Sequence, residues 1–103
     1  MSYSKKQIID LERQINKSTP LFALPTSRLI KQCKSYGVRI KSNQKLQIDR
    51  AAYVKDELDI FCSFYVTDSE KAVFTSIVNL KFIGEGPLFE KINKFQEWDG
   101  NII

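Results

Sequence analysis

The chain has 103 residues, of which 43% are hydrophobic and 27% are charged, and its formal net charge is +4. This composition is typical of a soluble globular protein, and the length predicts a single domain over residues 1–103. The sequence has no histidine, only two cysteines and four scattered glycines. It therefore lacks the commonest general base, a four-ligand zinc set and any phosphate-binding loop, and we expect a protein that is not an enzyme and uses no cofactor.

The N-terminal segment MSYSKKQIIDLERQ becomes charged at once and lacks the apolar stretch of a signal peptide, so we expect none. No apolar run approaches the ~18 residues that a membrane span needs, so we expect no membrane partner. Cys33 and Cys62 lie far apart and form no metal or redox motif. We expect both thiols to be reduced and buried as small apolar side chains, in a cytoplasmic protein.

The segment SKKQIIDLERQINKS predicts the first helix. Ser4 and Gln7 have the spacing of a capping box, and Ile8, Leu11 and Ile15 recur at helical spacing.

The segment LFALPTSRLIKQCKSYG predicts a second helix. Pro25 suits its first turn, or Thr26 suits its N-cap, and Gly37 suits the left-handed position that closes a helix. The predicted buried side consists of Leu29, Ile30, Cys33 and Tyr36.

From residue 45 the pattern changes to the alternation typical of strands. KLQIDRAAYV predicts a strand near 45–54, with Leu46, Ile48, Ala52 and Val54 on one face and Arg50 interrupting it. KDEL then predicts a polar turn. DIFCSFYVT predicts a strand near 59–67 in which Ile60, Cys62, Phe64 and Val66 alternate with Phe61, Ser63 and Tyr65. VRIK could add a short strand before them.

A third strand is predicted near 72–83, after the polar break TDSEKA. VFTSIVNLKFI places Phe74, Val78, Leu80 and Phe82 on one face and Thr75, Asn79 and Lys81 on the other. Two alternating runs around a short polar connection favour an antiparallel hairpin between 59–67 and 72–83.

GEGPLFEKINKFQEW predicts a final helix that begins at Pro87 and repeats apolar residues at Leu88, Ile92 and Phe95. Trp98 is expected to pack at the sheet edge or to cap the core. The predicted fold class is α+β: two N-terminal helices, an antiparallel three- to four-stranded β-meander, and a C-terminal helix packed on the sheet. Phe64, Val78, Leu80, Ile92 and Phe95 should lie in one core between the sheet and the final helix.

An alternative comes from LPTSRLIKQCKSYGVRI followed by IDRAA. This stretch, over residues 24–54, resembles the start of histone-fold subunits such as those of nuclear factor Y and DNA polymerase epsilon. The resemblance implies that residues 46–66 form one long central helix of a DNA-binding subunit. The third-helix signature of that family is missing from this chain.

Charge is distributed unevenly. Residues 1–50 carry a net charge of +8 and residues 51–103 carry −4. This asymmetry is typical of a surface that faces a polyanion, or of two faces that meet in a homodimer. The expected nucleic-acid-binding residues are Arg28, Lys31, Lys34, Tyr36, Arg39 and Lys41, in which cations would hold phosphates and the tyrosine would stack on a base.

The acidic residues Asp56, Glu57 and Asp59 are expected to occupy a solvated turn and to bind no metal. Taken together, the sequence predicts a small non-enzymatic intracellular binding protein that contacts DNA, RNA or a ribonucleoprotein through its basic N-terminal half. The alternative is a protein–protein interaction module, either an inhibitor or an adaptor. A histone-fold DNA-binding subunit is the third possibility.

Overall fold

The computed structural model describes residues 3–66 and 70–100, and the described part has the predicted α+β class. Five strands form one antiparallel sheet in the order β4-β3-β2-β1-β5. The elements are α1 (Lys5–Ser18), β1 (Leu21–Pro25), α2 (Ser27–Ser35), β2 (Leu46–Val54), β3 (Asp59–Val66), β4 (Lys71–Ser76), a 3₁₀ helix (Ile77–Asn79), β5 (Leu80–Ile83) and α3 (Pro87–Gly100).

The predicted helix ends are confirmed where a side chain caps them. Ser4 Oγ accepts a hydrogen bond from Gln7 N at 3.2 Å, and Gln7 Oε1 accepts one from Ser4 N at 2.8 Å, which completes the capping box of α1. Thr26 Oγ1 accepts from Leu29 N at 3.3 Å and so caps α2. Gly37 follows α2 at φ +77°, the left-handed conformation that terminates a helix.

The prediction of two consecutive N-terminal helices missed a strand between them. β1 is only five residues long, and it lies between β2 and β5 in the sheet. It pairs with segments that are far away in the chain, as in Leu21 with Ile48 and Pro25 with Leu80. No local sequence pattern therefore predicts this strand. The possible strand at residues 38–41 does not form, and within the described residues the sheet has five strands rather than three or four.

The predicted hairpin is confirmed for β3 and β4, in which Ser63 pairs with Phe74 and Tyr65 with Ala72. The connecting residues 67–69 of the predicted turn lie outside the described residues. The predicted single strand over 72–83 is wrong, however, because the 3₁₀ helix divides it. Its second half, β5, pairs with β1 at the opposite edge of the sheet.

This division forces the sheet to curl. Four inter-strand spacings separate β4 from β5 in the sheet order, or about 19 Å across a flat sheet. The chain from Ser76 to Leu80 spans at most about 15 Å, even if fully extended. The two edges of the sheet must therefore approach each other, as in a partly closed barrel.

Hydrogen bonds hold the 3₁₀ helix from two sides. The Asn79 side-chain amide donates to Thr75 Oγ1 at 2.8 Å, and Thr26 Oγ1 donates to Asn79 O at 2.9 Å. From α3, Gln96 Nε2 donates to Ile77 O and to Leu80 O, both at 2.7 Å. The turn between the two edge strands is thus fixed to both α2 and α3.

The predicted inner face of β4 is wrong. Thr75 and Asn79 are buried, whereas Phe74 is 60% exposed. The 3₁₀ helix shifts the alternation, so odd-numbered residues face inward before it and even-numbered ones, such as Leu80, after it.

The predicted inner face of β2 is corrected in a similar way. Its register with β3 shifts between Ile48 and Arg50, which marks a bulge. Beyond the bulge, Ala51 takes the buried position, Ala52 and Val54 fall on the opposite face, and Arg50 lies in solvent.

One core joins the sheet to α1 and α3. The predicted burial of Phe64, Leu80, Ile92 and Phe95 is confirmed, whereas Val78 is only partly buried against this core. Trp98 packs on Phe95 and Tyr3, with ring centroids 5.6 and 5.1 Å away.

The open edge of β2 is covered by α1. The pairing of β2 with β1 ends at Ile48. Further along, Asn16 accepts from Ala51 N at 2.8 Å and donates to Ala51 O at 2.9 Å, and Glu12 Oε2 accepts from Tyr53 N at 2.9 Å. Two side chains thus occupy the hydrogen-bonding positions of a missing neighbouring strand.

The histone-fold alternative is wrong. Residues 46–66 form β2, a turn and β3 rather than one long helix. The sequence features that this chain shares with histone-fold subunits are those of a basic helix after a Leu-Pro pair. This is a local pattern, and it carries no information on strand pairing.

Candidate nucleic-acid interface

The end of α2 and the segment after it position most of the predicted cations. Tyr36 N donates to Cys33 O at 3.0 Å and Val38 N donates to the same oxygen at 2.8 Å, which closes the helix and redirects the chain. Val38 and Ile40 are then buried, while Arg39 and Lys41 are exposed. The prediction that Arg39 and Lys41 share one face of an extended segment agrees with this alternation.

A cleft of about 520 Å³ lies between α2 and this segment. Its described lining consists of Ile30, Lys34, Val38, Arg39, Ile40, Lys41 and Gln44. We call it the cationic cleft, because three of these residues are cations and none is acidic. Lys34 reaches it from α2, since it lies one turn after Ile30 on the same side of the helix.

Arg28 and Lys31 do not line this cleft. Both are exposed on α2, at steps of three residues that drift around the helix and away from Lys34. The structure therefore brings together three of the five predicted cations. A role for the other two in binding stays a prediction.

Tyr36 projects into solvent and is 74% exposed, so it does not belong to the buried side of α2 on which the sequence had placed it. It borders a second, smaller cavity of about 230 Å³, which we call the aromatic notch. The described lining of the notch is Cys33, Tyr36, Val38, Lys71, Ala72, Val73 and Phe74. Val38 lines both the notch and the cationic cleft, so the two are neighbours.

Sequence reasoning missed the part of this surface that β4 supplies. Lys71 Nζ donates to Tyr36 O at 3.3 Å and links β4 to the end of α2. Phe74 was predicted to share a face with Val78 and Leu80, which were expected in the core, yet it lines the notch. The sequence did not indicate that Thr75 and Asn79 are buried, because their burial depends on the hydrogen bond between them. Without that information, the outward position of Phe74 could not be predicted.

A larger concavity, of about 610 Å³, runs along α1. Its described lining is Lys5, Lys6, Gln7, Ile9, Asp10 and Arg13. All of these residues belong to one helix, so the described part of the chain supplies no opposing wall. A carboxylate also lies among the cations. We therefore regard the cationic cleft as the better site for an anionic ligand.

The acidic group divides in the structure. Asp56 and Glu57 are exposed in the turn after β2, as predicted. Asp59 is buried instead, where its Oδ2 accepts from Ser76 Oγ at 2.7 Å and its Oδ1 from Ile60 N at 2.7 Å. Its role is to join β3 to the start of the 3₁₀ helix. Residues 3–66 and 70–100 contain no cluster of three or more potential metal ligands.

Both cysteines are free and buried, as predicted. Burial raises the pKa of the Cys33 thiol above its usual value. Burial, together with the nearby Asp59 carboxylate, raises the pKa of Cys62 to about 12. Thiols of this kind are poor nucleophiles at neutral pH, because the thiolate is the reactive form.

Comparisons with protein-family models, with curated proteins and with solved structures gave no match to this chain. Across the described residues, no helix combines the length and apolar character that crossing a membrane requires.

Proposed function

We propose that the protein binds nucleic acid without chemically altering it, and that the cationic cleft holds the phosphate backbone. The observation that carries this proposal is the convergence of Lys34, Arg39 and Lys41 on one cleft whose described lining has no acidic residue. Cations that neutralise phosphates release condensed counterions, and this release supplies most of the sequence-independent affinity for nucleic acid.

The composition of the cleft supports binding over catalysis. Its described lining offers ammonium and guanidinium groups, one glutamine amide and aliphatic side chains, but no carboxylate or thiol. An arginine beside two lysines suits phosphate oxygens, because the guanidinium group forms paired hydrogen bonds and each lysine acts as a point charge.

The test compares two triple variants that lose the same three charges. The cleft variant removes the three cations of the cleft through Lys34→Gln, Arg39→Gln and Lys41→Gln. The α1 variant removes two lysines and one arginine from α1 through Lys5→Gln, Lys6→Gln and Arg13→Gln. Fluorescence anisotropy with a labelled 12-nucleotide single strand is measured at several salt concentrations. The cleft variant should lower the slope of log K against log salt by about two units. The α1 variant should leave most of this slope intact.

Two results would contradict the proposal. The first is equal weakening by both triple variants, because affinity would then follow net charge alone. The second is a wild-type protein that binds neither single strands nor duplexes at low salt. The double variant Arg28→Gln and Lys31→Gln tests whether the two predicted cations outside the cleft contribute to binding. It should reduce the slope less than the cleft variant does.

One observation favours a protein–protein contact as the second candidate. β4 is an edge strand, and within the described residues its backbone pairs only with β3. Edge strands can accept a strand from a partner. If nucleic acid does not bind, sedimentation at low and high salt would detect a self-associated form, and a charge-mediated dimer would dissociate at high salt.

A further inference from the structure

Two exposed aromatic side chains from different elements face the aromatic notch. Tyr36 is exposed because α2 ends there, and Phe74 is exposed because of the inward–outward alternation of β4. Large apolar groups left in solvent around one small cavity are typical of a binding site. Neither ring is used by the core.

The notch adjoins the cationic cleft, because the buried Val38 lines both of them. It also has its own cation, Lys71, whose ammonium group uses one of its three N–H donors on Tyr36 O. This bond links the β4 side of the notch to the end of α2. A strand lying in the cleft would therefore reach aromatic rings at one end, with another positive charge beside them.

This arrangement discriminates between single strands and duplexes. A cavity of about 230 Å³ with aromatic walls suits one planar group that stacks on a ring. In a duplex the bases are already stacked and paired, and extruding one costs a few kcal/mol. A single strand can turn a base outward at far lower cost.

We propose that the aromatic notch receives one unstacked base of a single-stranded nucleic acid, between Tyr36 and Phe74, while the adjoining phosphates lie in the cationic cleft. This inference rests on the proposed function, and it names the ligand class as single-stranded RNA or DNA. Tyr65 extends the same surface. It lies diagonally across the β3–β4 pair from Phe74 on the outward face and is 52% exposed.

The experiment uses two single-stranded probes of equal charge. One is a 12-nucleotide oligothymidylate, and the other is an oligomer of the same length whose sugars carry no bases. Wild-type protein should bind the first about 5- to 150-fold more tightly, which is the range for stacking one base. Phe74→Ala and Tyr36→Ala should each reduce this preference and leave binding to the abasic oligomer, with its salt slope, unchanged.

Phe22→Ala is the matched control, because Phe22 is also an exposed phenylalanine close to a lysine, with Lys45 Nζ 5.6 Å from its ring centroid. It lines neither the notch nor the cleft within the described residues, so its removal should leave the preference for bases intact. Thermal unfolding by circular dichroism verifies that each variant is folded.

The outcomes separate the two proposals. Equal affinity of wild type for both probes, or equal losses from Phe22→Ala and Phe74→Ala, would overturn the base-binding notch while leaving the cationic cleft in place. Tighter binding of a 12-base-pair duplex than of the single strand would also overturn it. Failure to bind any of the probes would overturn the proposed function itself. Displacement of both probes by polyglutamate at equal charge concentration would instead indicate a site for acidic protein segments.

Discussion

β3 and the run from β4 to β5 contain similar residues but bury them differently. In β3 every second residue, from Ile60 to Val66, is buried, and Tyr65 between them is exposed. In the second run the alternation reverses at the 3₁₀ helix. Before it, Thr75 lies opposite the buried Cys62 and is buried, whereas Phe74 is not; after it, Leu80 is buried. The more polar residue takes the interior place there because Asn79 satisfies its hydroxyl group.

The comparison shows that hydrophobicity orients a strand only while the strand remains regular. Three residues in a 3₁₀ helix change which residues face inward, and the hydrogen bonds of Asn79 and Gln96 compensate for burying polar groups. Phe74, on the outward side of β4, remains exposed. The same residue type serves the core at Phe64 and the surface at Phe74.

The largest expected effect is a difference in thiol reactivity. Phe74→Cys places a thiol on the outward face, where its pKa should be ordinary, whereas Cys62 on β3 is buried and has a pKa of about 12. At pH 8 the introduced thiol should be alkylated on the order of a thousandfold faster, since its thiolate fraction is that much larger. Mass spectrometry of samples quenched over time measures both rates. Thr75→Cys is the control and should react slowly; equal rates at positions 74 and 75 would refute the reversed alternation.

The next effect is on the core. Phe64→Ala should lower the free energy of unfolding by about 3–5 kcal/mol, because the ring is 1% exposed and its removal leaves a cavity. Urea denaturation followed by circular dichroism measures this loss. A decrease of less than about 1 kcal/mol would mean that Phe64 does not pack in the core, and the contrast with Phe74 would disappear.

Asn79→Ala should cost about 1–3 kcal/mol, because it leaves the buried Thr75 hydroxyl without its amide donor. Asn93→Ala, at an exposed position of α3, is the control and should change stability by less than about 0.5 kcal/mol. Similar values for the two variants would show that the 3₁₀ helix does not depend on this hydrogen bond.

The smallest effect on stability is expected at Phe74, the outward-facing residue of β4. Phe74→Ala should change the free energy of unfolding by no more than about 0.5 kcal/mol, since most of its ring is already in water. The same urea titration measures it beside Phe64→Ala. A loss above about 2 kcal/mol would place the ring in the core and remove the aromatic notch.

The sequence was a good guide to the elements that local patterns specify. Ser4, Thr26 and Gly37 mark helix ends through hydrogen bonds or backbone conformations that involve near neighbours. The alternation of β3 likewise runs without interruption. These features need no information about the rest of the chain.

The remaining features depend on partners that are distant in sequence. β1 exists because β2 and β5 pair with it, and the bulge in β2 appears only as a shift in its register with β3. For the same reason the sequence grouped five cations as one surface but could not separate the three that line the cleft from Arg28 and Lys31. The contribution of Lys71 and Phe74 to the site required knowledge of where β4 lies relative to α2.

The covering of β2 by α1 has a consequence for intermolecular behaviour. Asn16 and Glu12 occupy the backbone groups of Ala51 and Tyr53 that would otherwise form a bare edge. An unprotected edge is a template on which identical chains add strand by strand, and this addition is the route to fibrils. Detachment of α1, even with the sheet intact, would expose that template. This helix therefore removes one of the sites at which copies of the chain could add to the sheet.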